Sequence, residues 1–136
     1  MEFNIKINKE NITKLEAENG KVTVIPFTGN VESELFTGIV RPGAADVQTT
    51  DASGIRHMHA QYIFEGVNSK GEPCHLFVSN NGYFEPGSSP KPFFACPTFM
   101  SDDKELNRYL GGSHFRAEGH PSMEGVTIKI FDVYEE

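Results

Sequence analysis

The chain has 136 residues, with 12 Lys+Arg against 19 Asp+Glu and a formal charge of −7. That length suits a single domain, residues 1–136, with a core of its own. The acidic balance, with no Lys/Arg run, speaks against nucleic acid or an anionic membrane as partner. The apolar stretches are too short for a spanning helix. Met1-Glu2-Phe3-Asn4 has neither a basic nor an apolar leader pattern, so a cytoplasmic location is expected. Cys74 and Cys96 stand far apart without a C-x-x-C, which points to two buried thiols in a reducing compartment.

Taken in order, Phe3–Ile7 alternates apolar and polar, the period of a half-buried strand. Asn8–Gly20 is polar and charged and is expected to be a loop or one short helical turn. Val22–Phe27 reads as a strand, with Pro26 requiring an edge or a bulge. Thr28-Gly29-Asn30 is expected to turn the chain. Leu35–Val40 is the next strand, closed by Pro42-Gly43, and Ala45–Thr50 is extended. After the turn at Asp51–Gly54, Ile55–Glu65 is the longest clean strand. Met58, Ala60, Tyr62 and Phe64 share one of its faces; His57, His59, Gln61 and Ile63 share the other. Asn68–Gly71 turns it into Cys74–Val78, the best hairpin candidate. Asn81-Gly82 predicts a further tight turn before Tyr83-Phe84. Pro86–Pro92 is a loop. Phe93–Met100 is apolar and extended, broken at Pro97, and Phe93, Phe94 and Phe99 read as core.

Asp102–Leu110 is the one helix. Asp102 can cap it, Glu105 follows three residues later, and Leu106, Tyr109 and Leu110 fall on one face before Gly111-Gly112 stops it. The acids at 102 and 103 read as helix-terminus residues, not as a site. His114–Ala117 and Val126–Tyr134 close the chain. The expected fold is therefore all-β: a single antiparallel β-barrel of about eight to ten strands, with one short helix near 102–110.

Several segments together resemble a known family: Ile25-Pro26-Phe27-Thr28-Gly29, Gly38–Asp46 with its Pro-Gly-x-Ala-Asp element, Ala60-Gln61-Tyr62, Asn81-Gly82 and Val126–Glu135. In order and spacing they resemble a bacterial domain of unknown function among the uncharacterised protein families, over roughly Val22 to Glu135. The resemblance implies an antiparallel β-barrel that associates into oligomers, and it implies no activity. The chain departs from the family pattern at Val47, where an aromatic is usual. It departs again at His59-Ala60-Gln61-Tyr62 and at Tyr109-Leu110-Gly111; if those positions line a site shared across the family, its chemistry here is expected to differ or the site to be lost.

The candidate site residues follow from chemistry. Asp46, behind a Pro-Gly turn, can accept from a ligand hydroxyl or act as a base. His59 carries an imidazole, the side-chain type suited to general acid or base chemistry. His57 and His59, two apart on a strand, point to one face and could share a metal with His75, His114 or His120, but the H-x-H pattern is weak and no metal is expected. Gln61, Asn81 and Tyr83 complete the ligand-binding set. Glycine-rich phosphate loops, G-x-S-x-G and H-E-x-x-H are absent, so no cofactor is expected. The function expected is the binding of a small apolar molecule in a largely apolar cavity, by a protein that self-associates into a homo-oligomer. Two alternatives stand beside it: a cofactor-independent isomerase or lyase using His59 and Asp46 as acid and base, and a filled barrel with a structural, oligomer-forming role.

Overall fold

A computed structural model describes residues 1–112 and 114–134. Among them ten strands form one antiparallel sheet. They are β1 (Glu2–Ile7), β2 (Thr13–Ala17), β3 (Gly20–Glu32), β4 (Phe36–Val40), β5 (Ala45–Asp51), β6 (Arg56–Asn68), β7 (Pro73–Phe84), β8 (Phe93–Ser101), β9 (Phe115–Pro121) and β10 (Gly125–Asp132), with helix α1 (Lys104–Leu110) between β8 and β9. The sheet closes because β1 pairs on one side with β10 and on the other with β3. β4 and β5 lie end to end in the position between β3 and β6, separated by the turn at Pro42-Gly43. β1 and β2 likewise share the other flank of β3. The result is an eight-position antiparallel barrel with two extra strands, as the spacing of turn residues implies.

The closing strand fits because glycine faces it on both flanks. A Cβ on Gly29 would lie 2.5 Å from the Asn4 carbonyl oxygen, and one on Gly125 would lie 1.8 Å from that of Ile5. Backbone passes where a side chain cannot.

Alternation puts the inward residues of every strand into one core. The Met58/Ala60/Tyr62/Phe64 face of β6 is the buried one, and Cys74, Leu76, Val78 and Asn80 continue it on β7. One end of the bore is packed solid. Phe3, Phe36, Phe64 and Leu76 are almost wholly buried there, with the Phe3 and Phe64 rings 4.9 Å apart. Helix α1 adds Leu106 and Leu110 to the same core.

Several local expectations are corrected. Asn8–Gly20 contains a 3-10 turn at Lys9–Asn11 and then strand β2. β3 runs straight through Thr28-Gly29-Asn30, because β1 pairs with it there. Pro26 sits in β3 opposite the gap between β1 and β2, where its carbonyl accepts from the Asn8 amide and no ladder bond needs its missing N–H. β7 runs through Asn81-Gly82: with β6 on one side and β8 on the other, two ladders outweigh a turn-forming dipeptide. β8 continues through Pro97 because β9 pairs with it only over Phe93–Ala95, leaving that flank without a ladder. Asp103, not Asp102, caps α1 by accepting from the Leu106 amide; Asp102 instead accepts from the backbone and ring of His75. Cys74 is buried as expected, but Cys96 is exposed, and so is Phe94 on the outer wall.

Two substitutions test the closure. Gly125→Ala should cost about 1–3 kcal/mol or more, because β1 must be pushed away from β10. Leu15→Ala, at an exposed position on β2, should stay within about 0.5 kcal/mol. Urea denaturation of the two variants against the parent measures both.

Candidate functional site

The end of the bore opposite α1 is not filled. A cavity of about 240 Å³ lies there, walled by apolar residues such as Ile5, Ile25, Phe27, Phe84 and Phe93 and roofed by Ser89, Pro90 and Lys91. The roof belongs to the loop between β7 and β8. Arg56 ties it down, donating from a terminal nitrogen to the Ser88 carbonyl at 3.4 Å while its guanidinium lies 4.5 Å from the centre of the Phe84 ring.

Besides Ser89 and Lys91 in the roof, five polar residues of the barrel wall line this largely apolar chamber: Asp46, Gln48, Arg56, Tyr62 and Asn80. Their placement follows from register. Asp46 stands opposite Ala60 and Gln48 opposite Met58, so both share the inward face of β6. Asn80 continues the inward series of β7 and is 3% exposed. Gln48 donates from Nε2 to Oδ2 of Asp46 at 2.8 Å. Oδ1 of Asp46, Oδ1 of Asn80 and Nε of Arg56 are buried without a hydrogen-bond partner among the described residues. A buried polar atom left unpaired costs about 1–3 kcal/mol, so three around one cavity is a concentration that calls for a reason. Burial pushes the Asp46 carboxyl above its ordinary value, opposed by hydrogen bonds from Gln48 and the His59 backbone amide and by the charges of Arg56 and His59. Burial, with the nearby Asp46 charge, also pushes the Tyr62 phenol up.

Of the residues singled out from the sequence, only Asp46 faces this cavity. His57, His59, Gln61, Asn81 and Tyr83 are exposed on the outer wall. There His59 Nε2 lies 3.4 Å from Ser79 Oγ, and the His57 ring is tilted against Tyr83 with centres 6.2 Å apart. The wall of the barrel thus separates the imidazole of His59 from the carboxylate of Asp46. No group of three His, Cys, Asp or Glu side chains placed to hold a metal occurs among the described residues. His75 is engaged with Asp102, His114 with Asp132 and His120 with Glu118.

Arg56, Gln48, Tyr62 and Asn80 escaped the sequence reading as site residues. The signal for two of them was parity: Arg56 shares it with Met58 and Ala60, and Asn80 with Leu76 and Val78. Reading a turn at Asn81-Gly82 hid the second.

A family model described as "Protein of unknown function (DUF3237)" matches residues 1–133. The chain belongs to that family. The match extends through β1 and β2, beyond the Val22 start that the motifs alone implied; at the other end, Glu135 lies outside the described residues. No curated protein matches the chain. Solved structures share the DUF3237 barrel. A protein of unknown function from Clostridium acetobutylicum superposes with a TM-score of 0.75 at 22% identity, covering 96% of this chain and 91% of that one. A conserved protein of unknown function from Rhodopseudomonas palustris gives 0.73 at 23% identity, covering 95% and 91%. A β-barrel-like protein from Acinetobacter baumannii gives 0.73 at 15% identity, covering 97% and 92%. These likenesses establish the fold.

The direction of the Asp46 shift has a measurable consequence. The fold favours the protonated carboxyl, so ionising Asp46 removes stability as pH rises through and above 3.8, its ordinary value. Asp46→Asn keeps the shape without the charge. It should melt above the parent at pH 7, and the difference should close as the pH falls below 3.8. Paired thermal melts from about pH 3 to 7 check this, and an Asn variant that melts lower at neutral pH contradicts it.

Proposed function

We propose that the protein binds one small, largely apolar molecule at the open end of the barrel. The observation that carries this reading is the pair of inward acceptors, Asp46 Oδ1 and Asn80 Oδ1, left without partners in an apolar chamber. A ligand that donates to both would recover their desolvation cost, and the apolar walls would supply the rest of the affinity. Size narrows the class. A cavity of roughly 150 Å³ accommodates benzene, so about 240 Å³ suits a single substituted ring. The ligand should carry a hydroxyl or N–H donor together with an acceptor for Arg56 or Tyr62.

Cyclohexanol, benzyl alcohol and 2-hydroxycyclohexanone are suitable probes. At least one should raise the melting temperature in proportion to the logarithm of its concentration. Asn80→Leu keeps the volume and removes the acceptor, and should weaken that probe about tenfold or more. A panel without effect on the parent, or an unchanged affinity in the variant, counts against binding here.

The outer wall favours a second reading, self-association through a second copy of the chain. Ile63, Phe77 and Met100 form one row across β6, β7 and β8, and Met100 is 67% exposed. A contiguous apolar row on a wet face marks an association surface. Sedimentation velocity should find a species larger than the monomer, converted to monomer by Met100→Glu; a monomeric parent removes this reading.

A further inference from the structure

Binding alone leaves the chemistry of Asp46 unused. It is the one acid lining the cavity among the described residues. Gln48 holds Oδ2, so the carboxylate is oriented and Oδ1 is the oxygen left free. Besides Lys91 in the roof, two donors of the barrel wall line the same chamber with hydrogen bonds to spare. One is Nε of Arg56. The other is the Tyr62 hydroxyl, which makes no hydrogen bond among the described residues and lies close enough to Asp46 to respond to its charge. A base with one free oxygen, two hydrogen-bond donors and apolar walls form a recognisable combination. They suit a reaction in which a proton leaves carbon while negative charge collects on an oxygen.

We infer that the cavity is a proton-transfer site in which Asp46 is the general base toward a ring-sized ketone. This rests on the binding reading of the same cavity. The substrate carbonyl oxygen accepts from Tyr62 and Arg56. A C–H bond on the adjacent carbon breaks, and its proton passes to Asp46 Oδ1. The bonding pair forms the C=C bond of the enolate, and the carbonyl π pair moves onto oxygen, where the two donors stabilise it. Return of the proton to the same carbon restores the ketone; return to a conjugated carbon gives its isomer. Nothing is oxidised or reduced, and no co-reactant is consumed. A carboxylate stripped of water inside an apolar wall is a stronger base than one in solvent. The same dry surroundings strengthen the hydrogen bonds to the developing oxyanion. Asn80 is a positioning residue, orienting a hydroxyl or N–H on the substrate. The imidazole of His59, on the outer wall, takes no part.

The test is exchange of α-protons for deuterium in D2O, followed by proton NMR, with cyclohexanone, 2-hydroxycyclohexanone and β-tetralone as probes. Thermal shift measures the binding of each probe in parallel. At least one bound ketone should exchange faster with the parent protein than in buffer. Asp46→Asn should lower the protein-catalysed rate about 100-fold or more. Tyr62→Phe should lower it about tenfold or more, and both variants should still bind. If Tyr62→Phe fails to fold, the comparison with Asp46→Asn decides alone. Binding without exchange above the Asp46→Asn level overturns the proton-transfer site and leaves the binding reading intact. Exchange that survives Asp46→Asn overturns it as well. Neither binding nor exchange overturns both.

Discussion

The barrel depends on one strand being admitted between two others. β1 is six residues long, yet it satisfies the backbone of β3 on one side and β10 on the other. Without it the sheet would present two open edges, each a row of unpaired amides and carbonyls. Its admission is steric before it is energetic: Gly29 and Gly125 are the points where its neighbours come too close for any side chain. Once β1 is seated, Phe3 is wholly buried against Phe64 and Tyr62, so the strand that closes the sheet also anchors the core.

Closure then divides the bore by composition. At the end covered by α1, the inward positions are Phe, Leu and Val, and they interlock. At the other end the same parity delivers Asp46, Gln48, Arg56 and Asn80 among Ile and Phe. The break between β4 and β5 makes this possible. The turn at Pro42-Gly43 lets the chain leave β4 and resume as β5 in the same sheet position, and Asp46 follows one residue after β5 begins. Stability is concentrated at one end and polarity at the other. The closing strands span both ends: Phe3 sits in the packed half, while Ile5 on β1 and its partner Val126 on β10 line the chamber.

Much of this was legible in the sequence, and the reasons for the rest are physical. Period-two alternation identified β1, β6 and β10, the β6–β7 hairpin and the correct buried face of β6. The helix at 104–110 was marked by its acids and its leucines. Local turn chemistry misled where tertiary pairing was stronger, at Thr28-Gly29-Asn30 and at Asn81-Gly82, because both segments have neighbours on each side. The charged strand β2 carried no alternation of buried residues, since all five of its residues are exposed. Of the site, Asp46 was found from its place after a Pro-Gly turn. The histidines attracted attention by residue type, although their parity assigned them to the wet face once Met58 and Tyr62 were taken as buried. Asn80 and Arg56 needed the full strand lengths before their direction could be read.

One side chain couples the chamber to the loop that covers it. Phe36, Phe64, Leu106 and Leu110 are buried in the core at the α1 end, while Ser89, Pro90 and Lys91 lie over the chamber at the other. Arg56 lines the chamber and also donates to the Ser88 carbonyl of that loop, so a displacement of the loop is felt at the chamber wall through a single guanidinium.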